Sequence, residues 1–168
     1  MRRSLIIIVL AVMAVACENV TCSIDNTVES VYSFYASART DGVFYPGNAI
    51  TIGDTMSVII LGPDSVIANR LVRQKEVKLP VSFYGAVDSL LFEFTDTASR
   101  KGRDTLFVFK MSMPHWEDPS CPVHMFHVVT AVTSTHNIID TVLIINPTIT
   151  YEGLENFRIY FRTNDEEE

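Results

Sequence analysis

Basic residues are scarce in this 168-residue chain: 13 Lys and Arg stand against 20 Asp and Glu, a formal charge of −7. That balance excludes nucleic acid as a partner and excludes charge-driven binding to anionic lipid, because an acidic surface repels phosphate. No apolar run reaches the roughly 20 residues that a membrane helix needs. No Gly-x-Ser-x-Gly elbow, P-loop or dinucleotide fingerprint occurs, so the common signatures of serine hydrolases and nucleotide enzymes are missing. Glycine and proline, seven each, build no low-complexity segment or linker. Tryptophan occurs once and cysteine three times. A sustained helical stripe is lacking throughout.

What is present begins with Arg2 and Arg3, followed by Leu5 to Ala16, twelve residues without a polar side chain. That is the length of a signal-peptide core. The run ends Ala14-Val15-Ala16-Cys17, which resembles the lipobox of bacterial lipoproteins, with Ala14 where Leu is commoner. The resemblance implies that residues 1–16 are a lipoprotein signal peptide and that Cys17 is acylated and becomes the N-terminus. The alternative is ordinary secretion with Cys17 merely near the cut. Each buried methylene contributes roughly 0.8 kcal/mol, and more than one acyl chain anchors stably. The membrane is then a partner through the lipid anchor. Only one acid, Glu18, follows Cys17 closely, where an acidic cluster would direct surface export in Bacteroidetes-type lipoproteins. The expected location is therefore the periplasmic face of the outer membrane. Removal of residues 1–16 takes Arg2 and Arg3 with it and leaves 152 residues, 11 basic against 20 acidic, about −9. That length suits one domain.

Beyond a tether over 17–27, apolar residues alternate with period two. Tyr32, Phe34 and Ala36 share a parity with Val28; Met56, Val58 and Ile60 do likewise. Leu90, Phe92 and Phe94 oppose Glu93 and Thr95, and Phe157, Ile159 and Phe161 alternate with Arg158, Tyr160 and Arg162. Such alternation predicts half-buried antiparallel strands. Residues 106–111 and 138–145 are apolar on both parities and read as central strands. Pro80 marks 77–83 as an edge strand. Residues 66–74 read as strand rather than helix. Pro46-Gly47-Asn48, Gly62-Pro63-Asp64 and Thr95 to Arg103 read as turns, the last a hairpin loop. The expectation is an all-β domain over 28–162, an antiparallel, immunoglobulin-like sandwich of eight or nine strands. Residues 163–168, ending in Asp165-Glu166-Glu167-Glu168, read as an acidic disordered tail.

Five tripeptides repeat the order acid, hydroxyl, apolar: they begin at Asp54, Asp64, Asp88, Asp104 and Asp140. The expected role is local capping at strand entrances. Calcium ligation is the alternative, and it would need the carboxylates to converge on one point.

The densest polar stretch is Pro114 to His127, with His115, Trp116, Cys121, His124 and His127. It reads as a crossover loop leading to a strand that starts near His124. On that strand His124 and His127 have opposite parity and point to opposite faces. A zinc pair is therefore disfavoured, and no metal, cofactor or catalytic residue is assigned. Histidines hydrogen-bonded under the loop are the expectation. Acylation of Cys17 leaves Cys22 and Cys121 as an even pair in an oxidising compartment, which predicts a disulfide between them.

Pro114-His115, Pro119, Cys121-Pro122, Met125-Phe126-His127, Ile139-Asp140, Asn146-Pro147, and Asn156 with Ile159-Tyr160 resemble a family of small Bacteroidetes lipoproteins of unknown function. The early Cys22 and the lipobox fit it too. The resemblance implies an extracytoplasmic lipoprotein and no activity. The function expected is a non-enzymatic binding or accessory module that meets an envelope protein or glycan through loops at one end of the sandwich. The alternative is an envelope hydrolase or metal-binding protein centred on the 115–127 loop.

Overall fold

The computed structural model describes Cys22 and residues 27–162. The expected signal peptide over 1–16, Cys17, most of the expected tether over 17–27 and the expected acidic tail over 163–168 lie outside the described residues. Within them the chain is all β, with no helix, and two sheets face one another as a sandwich. Eleven strands form it, more than the eight or nine expected.

One sheet has five strands. β1 (Glu29–Thr40) lies at its centre; its first half pairs with β5 (Glu76–Pro80) and its second half with β2 (Val43–Ala49). On its other side β1 runs parallel to β11 (Glu155–Arg162), which pairs with β9 (Ile139–Ile144). The second sheet has six strands in the order β10 (Thr148–Ile149), β8 (His124–Ser134), β7 (Lys101–His115), β6 (Val87–Thr95), β3 (Thr55–Ile60), β4 (Ser65–Leu71).

The alternating residues meet between the sheets. Tyr32 and Phe34 of β1, Phe92 of β6, and Phe157 and Ile159 of β11 are almost wholly buried. Tyr32 stacks on Phe157 at 4.7 Å and meets Phe92 of the opposite sheet edge-on at 6.0 Å. Offset and edge-on arrangements suit the ring quadrupoles and contribute about 1 kcal/mol each beyond area burial. Tyr160 points away from this core, as its parity requires, yet is buried too, between Tyr35 and Phe44.

Several local expectations hold. β5 is an edge strand ending at Pro80, β4 spans most of 66–74, and residues 96–100 join β6 to β7 as a hairpin. Gly62 and Asp64 take positive φ in the β3–β4 turn, where a short polar residue or glycine is needed. Others do not. Pro46, Gly47 and Asn48 lie inside β2 rather than in a turn. An edge strand tolerates the missing N–H of Pro46, and a Cβ on Gly47 would sit 2.8 Å from the Ala36 carbonyl oxygen, so glycine is needed for strand contact. Residues 138–145 form an edge, not a central strand: Ile139 and Val142 pack inward while Leu143 and Ile145 are exposed apolar residues. β7 extends to His115 through Pro114 and pairs with β8 up to His115↔His124, so residues 116–123 close a hairpin instead of crossing between sheets.

Three of the five repeated aspartates are buried and act over long distances rather than as local caps. Asp140 of β9 accepts hydrogen bonds from Arg39 at 2.6 Å, Ser37 at 3.0 Å and Arg162 at 3.2 Å, binding three neighbouring strands. Asp104 of β7 accepts the backbone N–H groups of Asn137, Ile138 and Ile139 at 2.8, 2.6 and 2.7 Å, together with the Thr135 hydroxyl. These donors run along the connection between β8 and β9 to the first residue of β9, where the chain passes from one sheet to the other. Asp88 faces Lys110 across β6 and β7. Asp54 and Asp64 are exposed.

Candidate functional site

The Cys22 and Cys121 Cα atoms are 5.5 Å apart and the two residues form a disulfide across 99 residues of sequence. Cys121 therefore carries no thiolate and cannot serve as a nucleophile. The bridge fastens the start of the domain to the loop between β7 and β8.

The polar stretch splits as parity demands. His115 and His124 sit directly opposite each other at the ends of β7 and β8. His115 stacks on Phe126 at 4.2 Å, and both histidines meet the Tyr151 ring, at 6.0 and 5.3 Å. Burial and the neighbouring Glu117 push the Tyr151 phenol above its ordinary value. Trp116 is exposed beside them. His127 points the other way, into the sandwich, 1% exposed. Its Nδ1 lies 3.0 Å from the Ser112 hydroxyl. Burial, with a smaller contribution from the Lys110 charge, pulls its imidazole down to about 4. The four residues His115, Cys121, His124 and His127 thus do not converge on one open pocket. Among the described residues no group of three His, Cys, Asp or Glu side chains is placed to hold a metal ion.

A second polar group was not foreseen: Ser82, Asp88 and Lys110. Lys110 is buried, and its ammonium donates to the Ser82 carbonyl, the Ser82 hydroxyl and the Gly85 carbonyl, each at 3.0 Å. Asp88 lies 3.6 Å from it and accepts from the Ser82 hydroxyl. Ser and Lys in contact suggest a nucleophile with its base. Here the three donors of the amine all face oxygens, so no lone pair is turned toward Ser82. The effect of the pair is to hold the 82–85 loop against β7. The signal missed in the sequence is the single Lys among apolar residues in 106–111, which alternation places on the inward face.

An open concavity lies at the opposite end of β7, about 45 Å of strand away at the usual rise. It is a cleft of about 410 Å³ between residues 50–54 and the β6–β7 hairpin. Phe94, Ile138 and Phe161 floor it, and Asp54, Asp96, Arg100 and Lys101 stand at the rim. Asp96 accepts the N–H of Ala98 and of Arg100 at 2.9 and 2.8 Å and the Arg100 guanidinium at 2.7 Å. The backbone and side chain of Arg100 hold this carboxyl below its ordinary value. Gly102 permits the floor: a Cβ there would lie 2.1 Å from Ile138 Cδ1. An apolar floor with a few fixed polar groups is the usual form of a ligand site.

Residues 55–161 match the family of unknown function DUF6452, and the chain belongs to that family. Neither the curated proteins nor the solved structures hold a match to it.

Proposed function

We propose that this member of DUF6452 is a lipid-anchored, non-enzymatic binding module of the cell envelope, standing on the periplasmic face of the outer membrane. The Cys22–Cys121 disulfide is the observation that carries this reading. A bridged pair suits an oxidising compartment. It also leaves Cys17, behind Ala14-Val15-Ala16, as the one cysteine outside the pair. The binding element is the cleft at the far end of β7. Its apolar floor is narrow, and Phe94 and Phe161 are only 5% and 9% exposed. A side chain of an envelope protein partner fits it better than a sugar ring, which needs an open aromatic face. The dispersal of His115, Cys121, His124 and His127 supports a binding role over a hydrolytic one.

Two measurements test the reading. Cys17→Ala should move the protein from the membrane fraction to the soluble fraction; retention in the membrane would contradict the anchor. A photocrosslinking residue at Thr51, in the cleft, should capture one partner in native envelopes that the same residue at Tyr45, on the five-stranded sheet, does not. Identical products from both positions would contradict the cleft as the binding element.

A further inference from the structure

The outer face of the six-stranded sheet changes character along its length. Near the β6–β7 hairpin it carries Glu93, which pairs with Lys101 and Arg103. Toward the other end of β7 the outward side chains are Phe109, Met111 and Met113, 38%, 59% and 47% exposed. Val87 of β6 stands directly across from Phe109 and is also exposed. Phe83 and Tyr84, edge to face at 4.8 Å, line a shallow groove with Met111 and Met125. Trp116, 56% exposed, follows at the end of the strand. Segments 83–91 and 107–116 contain just two Asp, Glu, Lys or Arg residues, Asp88 and Lys110. Both are turned inward and buried. A sheet with one wet face alternates apolar-in with polar-out. At this end the outward positions are apolar as well, which is why residues 106–111 are apolar on both parities, and a contiguous exposed apolar surface of this kind marks an interaction site.

The tether decides what covers it. Cys121, bonded to Cys22, is five residues past Trp116, and Cys17 is five residues before Cys22. A five-residue chain reaches at most about 18 Å. Acylation of Cys17 therefore draws this end of the sandwich, and not the cleft end, to the bilayer surface. We propose that the face formed by Phe83, Tyr84, Met111, Met113 and Trp116 seats in the phospholipid interface and orients the domain with its cleft turned away from the membrane. The inference rests on the lipidation of Cys17. Trp and Tyr settle at headgroup depth, where one edge of the ring is apolar and the other wet. Met adapts its shape to disordered acyl chains. The face has no exposed Lys or Arg, so apolar burial holds it, aided by the high local concentration that the anchor imposes.

Trp116 is the only tryptophan, so its emission reports this face alone. The protein is purified from membranes, its N-terminal peptide is weighed, and it is reconstituted into vesicles of phosphatidylethanolamine and phosphatidylcholine with bromine placed near the headgroups. For acylated protein, Trp116 emission should shift to the blue and lose most of its intensity to bromine. A Met111→Glu, Met113→Glu variant, altered only at exposed positions, should stay on the vesicles and lose that quenching. Unshifted, unquenched emission from acylated, vesicle-bound protein would overturn the seating. So would quenching undiminished in the variant. Blue-shifted but unquenched emission with a doubled mass in sedimentation would assign the face to a second copy of the chain. An N-terminal peptide without acyl groups would instead sink the lipidation reading, and the seating with it.

Discussion

The Ser112 hydroxyl lies 3.0 Å from Nδ1 of His127 inside the sandwich, and the neutral imidazole is the form that fits there. Burial, with Lys110 adding to it and Asp88 opposing, depresses His127 from 6.5 to about 4. Between those values the unfolded chain binds a proton that the folded chain refuses. The stability contributed is therefore complete above pH 6.5 and is lost as pH falls toward 4, by about 3 kcal/mol at the limit. Urea midpoints measured from pH 7.5 to 4 should fall across that window. His127→Gln, which keeps a hydrogen-bonding group, should flatten the fall. An equally steep fall in the variant would show that another group is responsible.

Asp104 secures the passage from β8 to β9. Burial raises its carboxyl, and the hydrogen bonds from Thr135, Asn137, Ile139 and Ile138 outweigh that and leave it below its ordinary value. Its contribution is thus present above the unfolded carboxylate value and lost as pH falls through the folded one. Asp104→Ala strands three backbone donors, each costing about 1–3 kcal/mol if left unpaired. Chemical denaturation should show a loss of about 3 kcal/mol or more at pH 7, with amide exchange fastest at Asn137, Ile138 and Ile139. A loss within experimental error would mean that water replaces the carboxylate.

Lys110 and Asp88 form a buried pair whose members depend on each other. Removing one leaves an uncompensated charge, which costs about 3–5 kcal/mol, whereas replacing both can be nearly neutral. Lys110→Met alone should destabilise strongly, and addition of Asp88→Asn should recover a large part of the loss. Strict additivity in that double-mutant cycle would contradict the pairing.

Gly102→Ala tests the cleft. The added methyl meets Ile138 Cδ1, which must turn into the cleft or away from it. Overpacking of this kind costs about 1–3 kcal/mol. A melting temperature lowered by several degrees, with crosslinking from Thr51 altered, is the expected result. An unchanged melting temperature and unchanged crosslinking would mean that the floor is not tightly packed.

The strand positions were legible because alternation is a local property. Leu90, Phe92 and Phe94 against Glu93 and Thr95 form β6 as read, and Pro80 identified an edge. The parallel pairing of β1 with β11 was not legible, since nothing in Glu29–Thr40 refers to residues more than a hundred positions away. The aspartates show the same limit. Asp, hydroxyl, apolar is a sound local turn signal, and at Asp64 it describes a turn. At Asp88, Asp104 and Asp140 the carboxylates bind partners on other strands or connections, which no tripeptide encodes. Parity separates the contacts of His124, which meets the Tyr151 ring, from those of His127, buried beside Ser112. The cleft was not foreseen because Ile52, Phe94, Gly102, Ile138 and Phe161 come from five separate segments.

The central claim, a disulfide-closed domain hung from an acylated Cys17, is tested most directly by non-reducing mass spectrometry of the protein extracted from membranes. The account predicts an N-terminal peptide that begins at Cys17 and carries acyl chains, a Cys22–Cys121 linked peptide, and no thiol open to alkylation. An N-terminus elsewhere with Cys17 unmodified, or two alkylatable thiols at Cys22 and Cys121, would contradict it.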